Sequence, residues 1–321
     1  MRLISNIVLP KNLTFFSLML CIVWLSGCGS LVNDLDPDKL VKVESKLAVS
    51  CYISPQSPRL EAIITESQPL LGPASFYPVV VPNASVVLSD GITTVQLIYD
   101  DSLQQYMADT NTLKIVAGKT YTLAVNDGKR SVKAQCTVPD QLPKITNATF
   151  EKTTLHAVDT MGKVQISWQD VKGVTNYYAV RGSVTTTLVN LNYDSKTGDY
   201  APFLYRNKQE VFYGRNIYND VNLDGITFKS PETLFFIPLK QTITYQDKSG
   251  AIKSFYNDAK IDEVRLEVLS IDEHYYKFFR SLSNNNSDNP FVEPTLIYTN
   301  VEGGLGCFAA FNAVGVTLDP E

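Results

Sequence analysis

The sequence predicts an all-β protein built from two β-sandwich domains. Short runs of alternating polar and apolar residues, rich in β-branched and aromatic side chains, recur along most of the chain. Turn signals such as Asp90-Gly91 and Asn126-Asp127-Gly128 separate these runs. Only one segment, near the C-terminus, has the apolar spacing of a helix. Short strands with frequent turns and almost no helix are typical of antiparallel sandwiches.

Residues 46–140 are predicted to form the first sandwich, with an Ig-like or prealbumin-like arrangement. The segment KLAVSCYIS alternates as a half-buried strand does, and EAIITESQPL follows it after a Ser/Pro turn. ASVVLSDGITTVQLIYD contains two strands joined at an Asp-Gly turn, and KTYTLAVNDGKRSVKAQCTVP is a second hairpin. We therefore expect an antiparallel fold in which consecutive strands pair through tight turns.

Two cysteines lie near opposite ends of this domain. Cys51 is in its first strand and Cys136 in its last, and the first and last strands of Ig-like sandwiches can be neighbours. A Cys51–Cys136 disulfide is therefore one prediction. Two buried free thiols are the alternative, because pairing cannot be deduced from sequence. No CxxC pair occurs, so Cys307 belongs neither to a thioredoxin-type site nor to a four-cysteine zinc site.

Residues 144–321 are predicted to form the second sandwich, after the proline-rich joint PDQLPKITNATF. In GKVQISWQDVKGVTNYYAVRGSV, Trp168 lies on one strand and Tyr177-Tyr178 on the next, which resembles the start of a fibronectin type III-like sandwich. Residues 186–222 are polar and rich in Tyr and Asn. They are too long for a simple hairpin, so we expect an elaborated β insertion. ETLFFIPL and EVRLEVLSI are further strands.

The segment DEHYYKFFRSLSNN is the one predicted helix. Asp272 can cap its N-terminus, and Tyr276 and Phe279 are spaced to share one face. Arg280 is expected in the last turn, where a cation complements the helix dipole. The helix should be short and should follow directly from the preceding strand.

The C-terminal stretch VEGGLGCFAAF contains three closely spaced glycines, Gly303, Gly304 and Gly306. A dinucleotide-binding loop would place such glycines between a strand and a helix, so that helix amides meet phosphate. Here apolar β-formers follow instead. We therefore expect a bulge or tight turn at the edge of the sheet, in which NPFVEP lays an extended segment against the core through Phe291. The whole stretch is predicted to close the second domain.

The N-terminus has the order of a lipoprotein signal peptide, residues 1–27. Arg2 and Lys11 precede an apolar run that is shorter than the roughly 20 residues a membrane span needs. The run ends in LSGC, which looks like a lipobox whose Cys28 receives fatty-acyl chains such as palmitate. An ordinary signal peptide with an incidental cysteine is the alternative. The mature chain is thus expected to begin with an acidic tether, residues 28–45, and to be anchored to a membrane without crossing it.

Several segments together resemble a known family. The helix DEHYYKFF, NPFVEP, the extended TLIYTN and VEGGLGCFAAF are similar to the Bacteroidota lipoprotein family called domain of unknown function 4249. AGKTYTLAVNDGKRSVKAQCTVP is similar to that family as well, and the resemblance covers nearly the whole mature chain. It implies an outer-membrane lipoprotein of the kind often encoded beside TonB-dependent transporters. It supplies no activity, no cofactor and no catalytic residue, and it leaves the face of the outer membrane undecided.

The loop DVNLDG is the one local motif with metal-binding character. Asp220, Asn222 and Asp224 stand at alternate positions and Gly225 closes the loop, so three oxygens can converge on calcium. A complete EF-hand loop would end in an acidic residue at its twelfth position, where this chain has a proline and Glu232 follows one residue late. The alternative is an Asx-rich turn without an ion.

The other residues that could take part in catalysis form no recognisable motif, so we predict that the protein is not an enzyme. The chain has two histidines, His156 in a probable strand and His274 at the start of the helix, and neither HExxH nor GxSxG occurs. A formal charge of −5 argues against nucleic acid as a partner. The first hypothesis is an accessory lipoprotein that docks on a TonB-dependent transporter or another envelope complex. A surface glycan- or ligand-binding lipoprotein is the second, and an envelope hydrolase with an unrecognised carboxylate pair is the third.

Replacing Cys28 with alanine tests the predicted anchor. Without the thiol no acyl chain can be attached, so Cys28→Ala should accumulate as an unprocessed or soluble form. Detergent phase partitioning and gel mobility measure this. A variant that still partitions fully with detergent at the wild-type mobility would contradict the lipobox interpretation.

Overall fold

The fold is taken from a computed structural model that describes residues 44–68, 77–155, 159–212, 216–238, 240–285 and 296–320. Apart from Glu44 and Gln68, the described residues belong to one compact unit. They form nineteen β-strands and one α-helix, which confirms the predicted all-β fold. The predicted signal peptide, Cys28, most of the tether and the NPFVEP segment lie outside the described residues.

The first sandwich contains eight strands, namely β1 (Leu47–Ile53), β2 (Arg59–Glu66), β3 (Val79–Val80), β4 (Ser85–Ser89), β5 (Thr94–Asp100), β6 (Gln105–Asp109), β7 (Thr120–Asn126) and β8 (Ser131–Thr137). Neighbouring strands follow the order β1-β2-β6-β5-β4-β7-β8, with β3 beside β2. Every second residue faces the core: in β1, Leu47, Val49, Cys51 and Ile53 are buried. The predicted hairpins β4–β5 and β7–β8 are both present.

The rest of the chain supplies the second sandwich and the helix, as β9 (Lys144–Leu155), β10 (Asp159–Gln169), β11 (Tyr177–Asp194), β12 (Asp199–Glu210), β13 (Ile217–Asn219), β14 (Thr227–Lys229), β15 (Thr233–Phe236), β16 (Gln241–Gln246), β17 (Ile252–Asn257), β18 (Lys260–Ile271), α1 (Glu273–Asn284) and β19 (Leu305–Leu318). Strands β9, β10, β14 and β15 form one sheet, which packs against β11, β18 and β19. Strands β16 and β17 form a separate hairpin.

Trp168 lies at the centre of the second core. It is fully buried and stacks on Phe228, with 5.5 Å between ring centroids. The rings of Tyr178 and Tyr218 meet it edge-on at 5.9 and 5.1 Å. Four aromatic side chains thus fill the space between the two sheets, a geometry that adds attraction beyond the area they bury. Trp168 and Tyr178 therefore lie on consecutive strands, β10 and β11, as predicted.

Strand β19 belongs to both sandwiches. Its first half pairs in parallel with β1, from Leu305 opposite Ala48 to Ala310 opposite Ile53. Its second half pairs antiparallel with β18, from Phe311 to Leu318. If β19 slipped by one residue against β1 or β18, its side chains would turn to the opposite face of the sheet. Because β19 is continuous, its register with β1 and its register with β18 are set together.

The glycine-rich stretch before β19 passes between β1 and β8. Glu302 exchanges backbone hydrogen bonds with Lys133 of β8, at 3.3 and 2.8 Å. A Cβ on Gly304 would lie 2.7 Å from the carbonyl oxygen of Leu47, and one on Gly306 only 2.0 Å from that of Val49. The backbones therefore approach too closely here for any side chain. The stretch lies at a sheet edge, that of β8, as predicted, but it packs on the first sandwich before β19 enters the second, so the prediction that it closes the second domain was wrong.

The same stretch explains the state of the cysteines. Cys51, Cys136 and Cys307 are all buried free thiols, so the structure has the alternative arrangement in place of the predicted Cys51–Cys136 disulfide. The first and last strands of this sandwich are not neighbours, because residues 300–308 lie between them. Burial raises the pKa of the Cys51 thiol to about 12, which makes it a poor nucleophile at neutral pH.

Asp272 fastens α1 to β19. As predicted, it caps the helix, with its Oδ1 accepting the Tyr275 N–H at 2.7 Å. Its Oδ2 accepts the N–H of Ala310 at 3.0 Å, and its own N–H donates to the Ala310 carbonyl at 3.0 Å. Burial raises the pKa of this carboxyl to about 7, although the backbone donors oppose that effect. The helix continues beyond Arg280 to Asn284, so the expectation of Arg280 in the last turn was wrong.

A network of side-chain amides around the buried Asn312 ties the loop after β1 and the interdomain joint to the middle of β19. The side-chain Nε2 of Gln56 donates to Oδ1 of Asn312 at 2.9 Å, and its Oε1 accepts the Ala313 N–H at 3.0 Å. Asn312 in turn donates to the Pro139 carbonyl at 3.1 Å. Because Asn312 is almost fully buried, each of these bonds is costly to leave unmade.

Alanine at Gly306 and at Gly91 separates close approach from backbone strain. The two glycines have nearly the same φ, 93° and 89°, but a Cβ at Gly91 meets nothing within 4 Å. Gly91→Ala should therefore cost only the conformational strain, about 1 kcal/mol. Gly306→Ala should lower the free energy of unfolding by at least about 2 kcal/mol more, because Val49 must move. Urea unfolding of both variants measures this, and equal losses would contradict the close approach.

Candidate functional site

The predicted calcium loop, residues 220–225, lies against the loop that follows β10. Oδ2 of Asp220 accepts the N–H of Asn176 at 2.9 Å. Oδ1 of Asp224 accepts the N–H of Gly173 at 2.7 Å. The two loops are therefore held side by side by carboxylates that bond to backbone amides.

Asp170 completes a cluster of three carboxylates. It follows β10 directly, and one oxygen each from Asp170, Asp220 and Asp224 lie within 4.8 Å of one another. Asp170 and Asp220 are buried, whereas Asp224 is exposed, so the cluster opens to solvent on one side. Convergent carboxylate oxygens at the surface are the ligands that hard cations such as Ca²⁺ prefer.

Hydrogen bonds hold Asp170 on both of its oxygens. Oδ1 accepts the hydroxyl proton of Tyr178 at 2.7 Å, and Oδ2 accepts the N–H of Gly225 at 2.7 Å. Burial raises the pKa of Tyr178 well above its usual range, so the hydroxyl stays protonated and donates. These donors offset part of the repulsion between the three carboxylates, and a bound cation would offset more of it.

The structure brings together only some of the predicted ligands. Asp220 and Asp224 share the cluster, and Asn222 is in the same loop with φ 64°, a left-handed conformation that asparagine tolerates. Glu232 is not part of the cluster. Its carboxylate lies 3.8 Å from Nζ of Lys163. Sequence reasoning missed Asp170, because it comes from a different loop and no local spacing links it to the others.

A second candidate surface is the hairpin of β11 and β12. The two strands pair without a break from Ser183 opposite Glu210 to Asp194 opposite Asp199. The expectation of an elaborated insertion, too long for a hairpin, was therefore wrong: most of that region is one long hairpin. Strand β18 pairs with β11 only as far as Thr187. Among the described residues, the hairpin beyond Thr187 is a two-stranded ribbon.

This ribbon exposes large apolar side chains on both of its faces. Successive residues of a strand point to opposite faces, so Tyr200 and Leu204 lie on one face and Phe203 and Tyr205 on the other. All four are exposed, and Leu204 is 75% exposed. A two-stranded ribbon is marginally stable by itself in water. So much exposed apolar surface on it is typical of an interaction site.

The β16–β17 hairpin packs beside the ribbon. The rings of Tyr200 and Tyr245 are 6.5 Å apart, and Oδ1 of Asn257 accepts the N–H of Val189 at 2.8 Å. We use "hairpin surface" for the large exposed apolar side chains of the two hairpins, which are Tyr193, Tyr200, Phe203, Leu204, Tyr205, Ile252 and Tyr256.

His274 packs against the segment before β19. Nδ1 of His274 lies 2.7 Å from the hydroxyl oxygen of Tyr298, and the two rings stack. Burial lowers the pKa of His274, so its surroundings favour the neutral ring. It joins α1 to the segment before β19. His156 lies outside the described residues.

The sequence matches the family described as "Domain of unknown function (DUF4249)" over residues 32–315. The chain belongs to this family. The match includes both sandwiches and β19 as far as Gly315, and so covers the carboxylate cluster and the hairpin surface. No curated protein matches the sequence.

Two solved structures show only distant similarity. The crystal structure of Salmonella alpha-2-macroglobulin reacted with methylamine has 11% identity and a TM-score of 0.19, with 75% of this chain and 19% of that chain covered. The cryo-EM reconstruction of native E. coli alpha-2-macroglobulin has 9% identity and a TM-score of 0.18, covering 86% and 20%. This chain thus spans about a fifth of the length of those proteins. Among the described residues, no helix has the length and hydrophobicity that a membrane span requires.

Calcium should raise the melting temperature if the carboxylate cluster binds it. Ligand at one hundred times its Kd would add about 2.7 kcal/mol of stability. Asp170→Asn and Asp224→Ala should each abolish the response, whereas Glu232→Ala should keep it. Differential scanning fluorimetry with calcium and with a chelator measures this. Identical wild-type melting curves in the two conditions would leave the cluster as an ordinary pair of turns.

Proposed function

We propose that this protein is a non-enzymatic binding component of the bacterial cell envelope, anchored to the outer membrane by a lipid on Cys28. In this proposal the hairpin surface docks on another envelope protein, such as a TonB-dependent transporter. One observation carries the proposal: a two-stranded ribbon exposes large apolar side chains on both faces. A partner that covers them would remove this apolar area from water.

The anchor and the tether support the same proposal. The LSGC sequence supplies an acylatable cysteine, and the acidic residues between Cys28 and Ser45 provide a polar connection to β1. A tethered domain samples a small volume next to the membrane, which raises its effective concentration towards an integral membrane partner.

A surface glycan-binding lipoprotein is the second candidate, because tyrosine supplies four of the seven residues of the hairpin surface. Sugar binding needs aromatic faces that are open to the ligand. Tyr193 and Tyr200 instead pack against one another at 5.3 Å, and Tyr200 meets Tyr245 edge-on. Trp168 is fully buried in the second core. These contacts favour a protein partner over a sugar.

The hydrolase hypothesis has less support from the geometry. The carboxylates of Asp170, Asp220 and Asp224 each accept a hydrogen bond from a backbone amide, and two of the three are buried. A glycoside hydrolase needs two carboxyl groups that face the substrate from opposite sides. The cluster is better suited to holding two loops together, with or without a cation.

Polar replacements on the ribbon test the docking proposal. The variant Phe203→Ser/Leu204→Ser/Tyr205→Ser removes apolar contact from exposed positions, so its melting temperature should stay close to that of the wild type. Proteins that cross-link to the wild type in native membranes should be recovered at least ten-fold less. Quantitative mass spectrometry after mild-detergent purification measures the recovery.

A matched control is Ile92→Ser/Ile98→Ser, which alters two exposed apolar residues of the first sandwich. It should recover the same proteins as the wild type. If the ribbon variant keeps its cross-linked partners, or if the control loses them equally, the hairpin surface is not the docking site.

A further inference from the structure

On the edge of β12 that faces away from β11, every second residue directs its backbone N–H and C=O outward. Strand β12 is the terminal strand of the long sheet. Val189 of β11 sits opposite Leu204, and it donates its N–H away from β12, to Asn257. Residues opposite each other in an antiparallel pair either exchange both of their hydrogen bonds or both point away. Leu204 therefore also directs its N–H and C=O away from β11.

Two contacts at the ends of the hairpin agree with this alternation. At one end, the N–H of Val211 donates to the Gly182 carbonyl at 3.0 Å. Val211 lies seven residues from Leu204, and this odd separation makes its position a bonded one. At the other end, Tyr200 turns its N–H away from β11 to Oδ1 of Asp199, at 2.8 Å. The outward residues of β12 are therefore Tyr200, Pro202, Leu204, Arg206, Lys208 and Glu210.

The edge of β12 offers no free N–H donor at Tyr200 and Pro202, but it does offer free donors from Leu204 onwards. Tyr200 already has an acceptor for its N–H, and Pro202 has no N–H to donate. Within the part of the chain that the structure describes, no acceptor meets the outward N–H of Leu204, Arg206 or Lys208. The open part runs from Leu204 to Glu210, roughly 20 Å at the rise of a β-strand.

We propose that this edge receives an extended, acidic segment of a partner protein by β-strand addition. The inference rests on the proposed function and adds the mode of binding and the chemistry of the partner. In strand addition, backbone hydrogen bonds supply affinity and the flanking side chains supply selectivity. The edge from Leu204 to Glu210 can supply both affinity and selectivity, because its outward residues have free backbone groups and two of them, Arg206 and Lys208, are cationic.

The side chains along the open edge favour acidic residues. Arg206 is largely exposed and lies 3.8 Å from the Asp262 carboxylate, a distance at which an exposed pair contributes little. Lys208 lines a cavity of about 300 Å³ with Arg181 and Arg265, which share one carboxylate, that of Glu267. Glu210 and Glu267 also line this cavity, but Arg206 and Lys208 are consecutive outward residues of β12 with no acidic side chain between them. An incoming strand would place acidic side chains opposite these cations.

A second copy of this chain matches this edge less well than an acidic segment does. Among the outward residues of β12 only Glu210 is acidic, so no antiparallel pairing of two β12 edges places a carboxylate opposite both Arg206 and Lys208. On the opposite face of the strand, Phe203 and Tyr205 are exposed and apolar. The preferred segment therefore alternates acidic with apolar residues.

The other end of the long sheet shows what a covered edge looks like in this molecule. Strand β8 is the terminal strand there, and Glu302 bonds to Lys133 while the Asn300 amide donates to the Gln135 carbonyl. The chain thus covers that edge itself. Among the described residues, nothing equivalent lies along β12 from Leu204 to Glu210.

A library of random decapeptides displayed on phage, selected on the full protein, tests the inference. Enriched peptides should carry Asp or Glu at two positions spaced two residues apart, which would lie opposite Arg206 and Lys208. Synthetic copies should bind Leu204→Pro at least ten-fold more weakly than Leu204→Ala in fluorescence anisotropy, because both variants lose the leucine side chain but only proline removes the outward N–H. Leu204→Pro should still fold, since Pro202 occupies an equivalent outward position, and its melting temperature checks this.

A charge reversal provides an independent measurement. Arg206→Glu/Lys208→Glu should bind the acidic peptides at least ten-fold more weakly and should bind copies with Lys in place of the acidic residues more tightly. The inference is overturned if no peptide is enriched, if Leu204→Pro binds as tightly as Leu204→Ala, or if the reversal leaves the preference unchanged. If the triple serine variant of the ribbon loses its cross-linked partners while Leu204→Pro keeps them, the result supports docking at the hairpin surface and contradicts strand addition at β12.

Discussion

The pairing of β19 on both of its edges is the constraint on which the rest of the structure depends. Its first half bonds to β1 and its second half to β18, so one strand carries the sheet from the first core into the second. The glycines before it allow the chain to pass between β1 and β8, and Asp272 and Asn312 fix its middle to the helix and to the joint. The candidate surfaces are built on this frame, because β11 pairs with β18 along the base of the long hairpin.

Local features of the fold could be predicted from the sequence, because they depend on neighbours in the chain. Alternation predicted the strands of the first sandwich, the Asp-Gly and Asn-Asp-Gly turns predicted its hairpins, and the residue types around Asp272 predicted a capped helix. The partner of the C-terminal strand could not be predicted this way. The glycine spacing indicated a close approach of backbones, but it carries no information about which strand is approached. The disulfide prediction failed for the same reason, since it assumed that β1 and β8 are neighbours.

In the candidate sites too, the residues close together in the sequence could be predicted and those brought together by tertiary packing could not. Asp220 and Asp224 could be found because a single loop holds both, whereas Asp170 reaches the cluster through the packing of two loops. Glu232 was included by comparison with a linear loop template, and the chain turns away into β15 before that position can reach the cluster. The only sequence feature that pointed to the hairpin surface was the high tyrosine content of this region. A strand with apolar residues on both faces is typical of a buried strand, so its exposure could not be deduced from the pattern.

Equilibrium unfolding observed separately in each core tests the central role of β19 most directly. Trp168 is the one tryptophan of the predicted mature chain, residues 28–321, so its fluorescence follows urea unfolding of the second core. Pulsed thiol labelling with mass spectrometry follows Cys51 and Cys136 in the first core of the same protein. If β19 couples the two sandwiches, both signals should change in one transition with a single midpoint. Two well-separated midpoints, with one core unfolding while the other stays intact, would contradict the account.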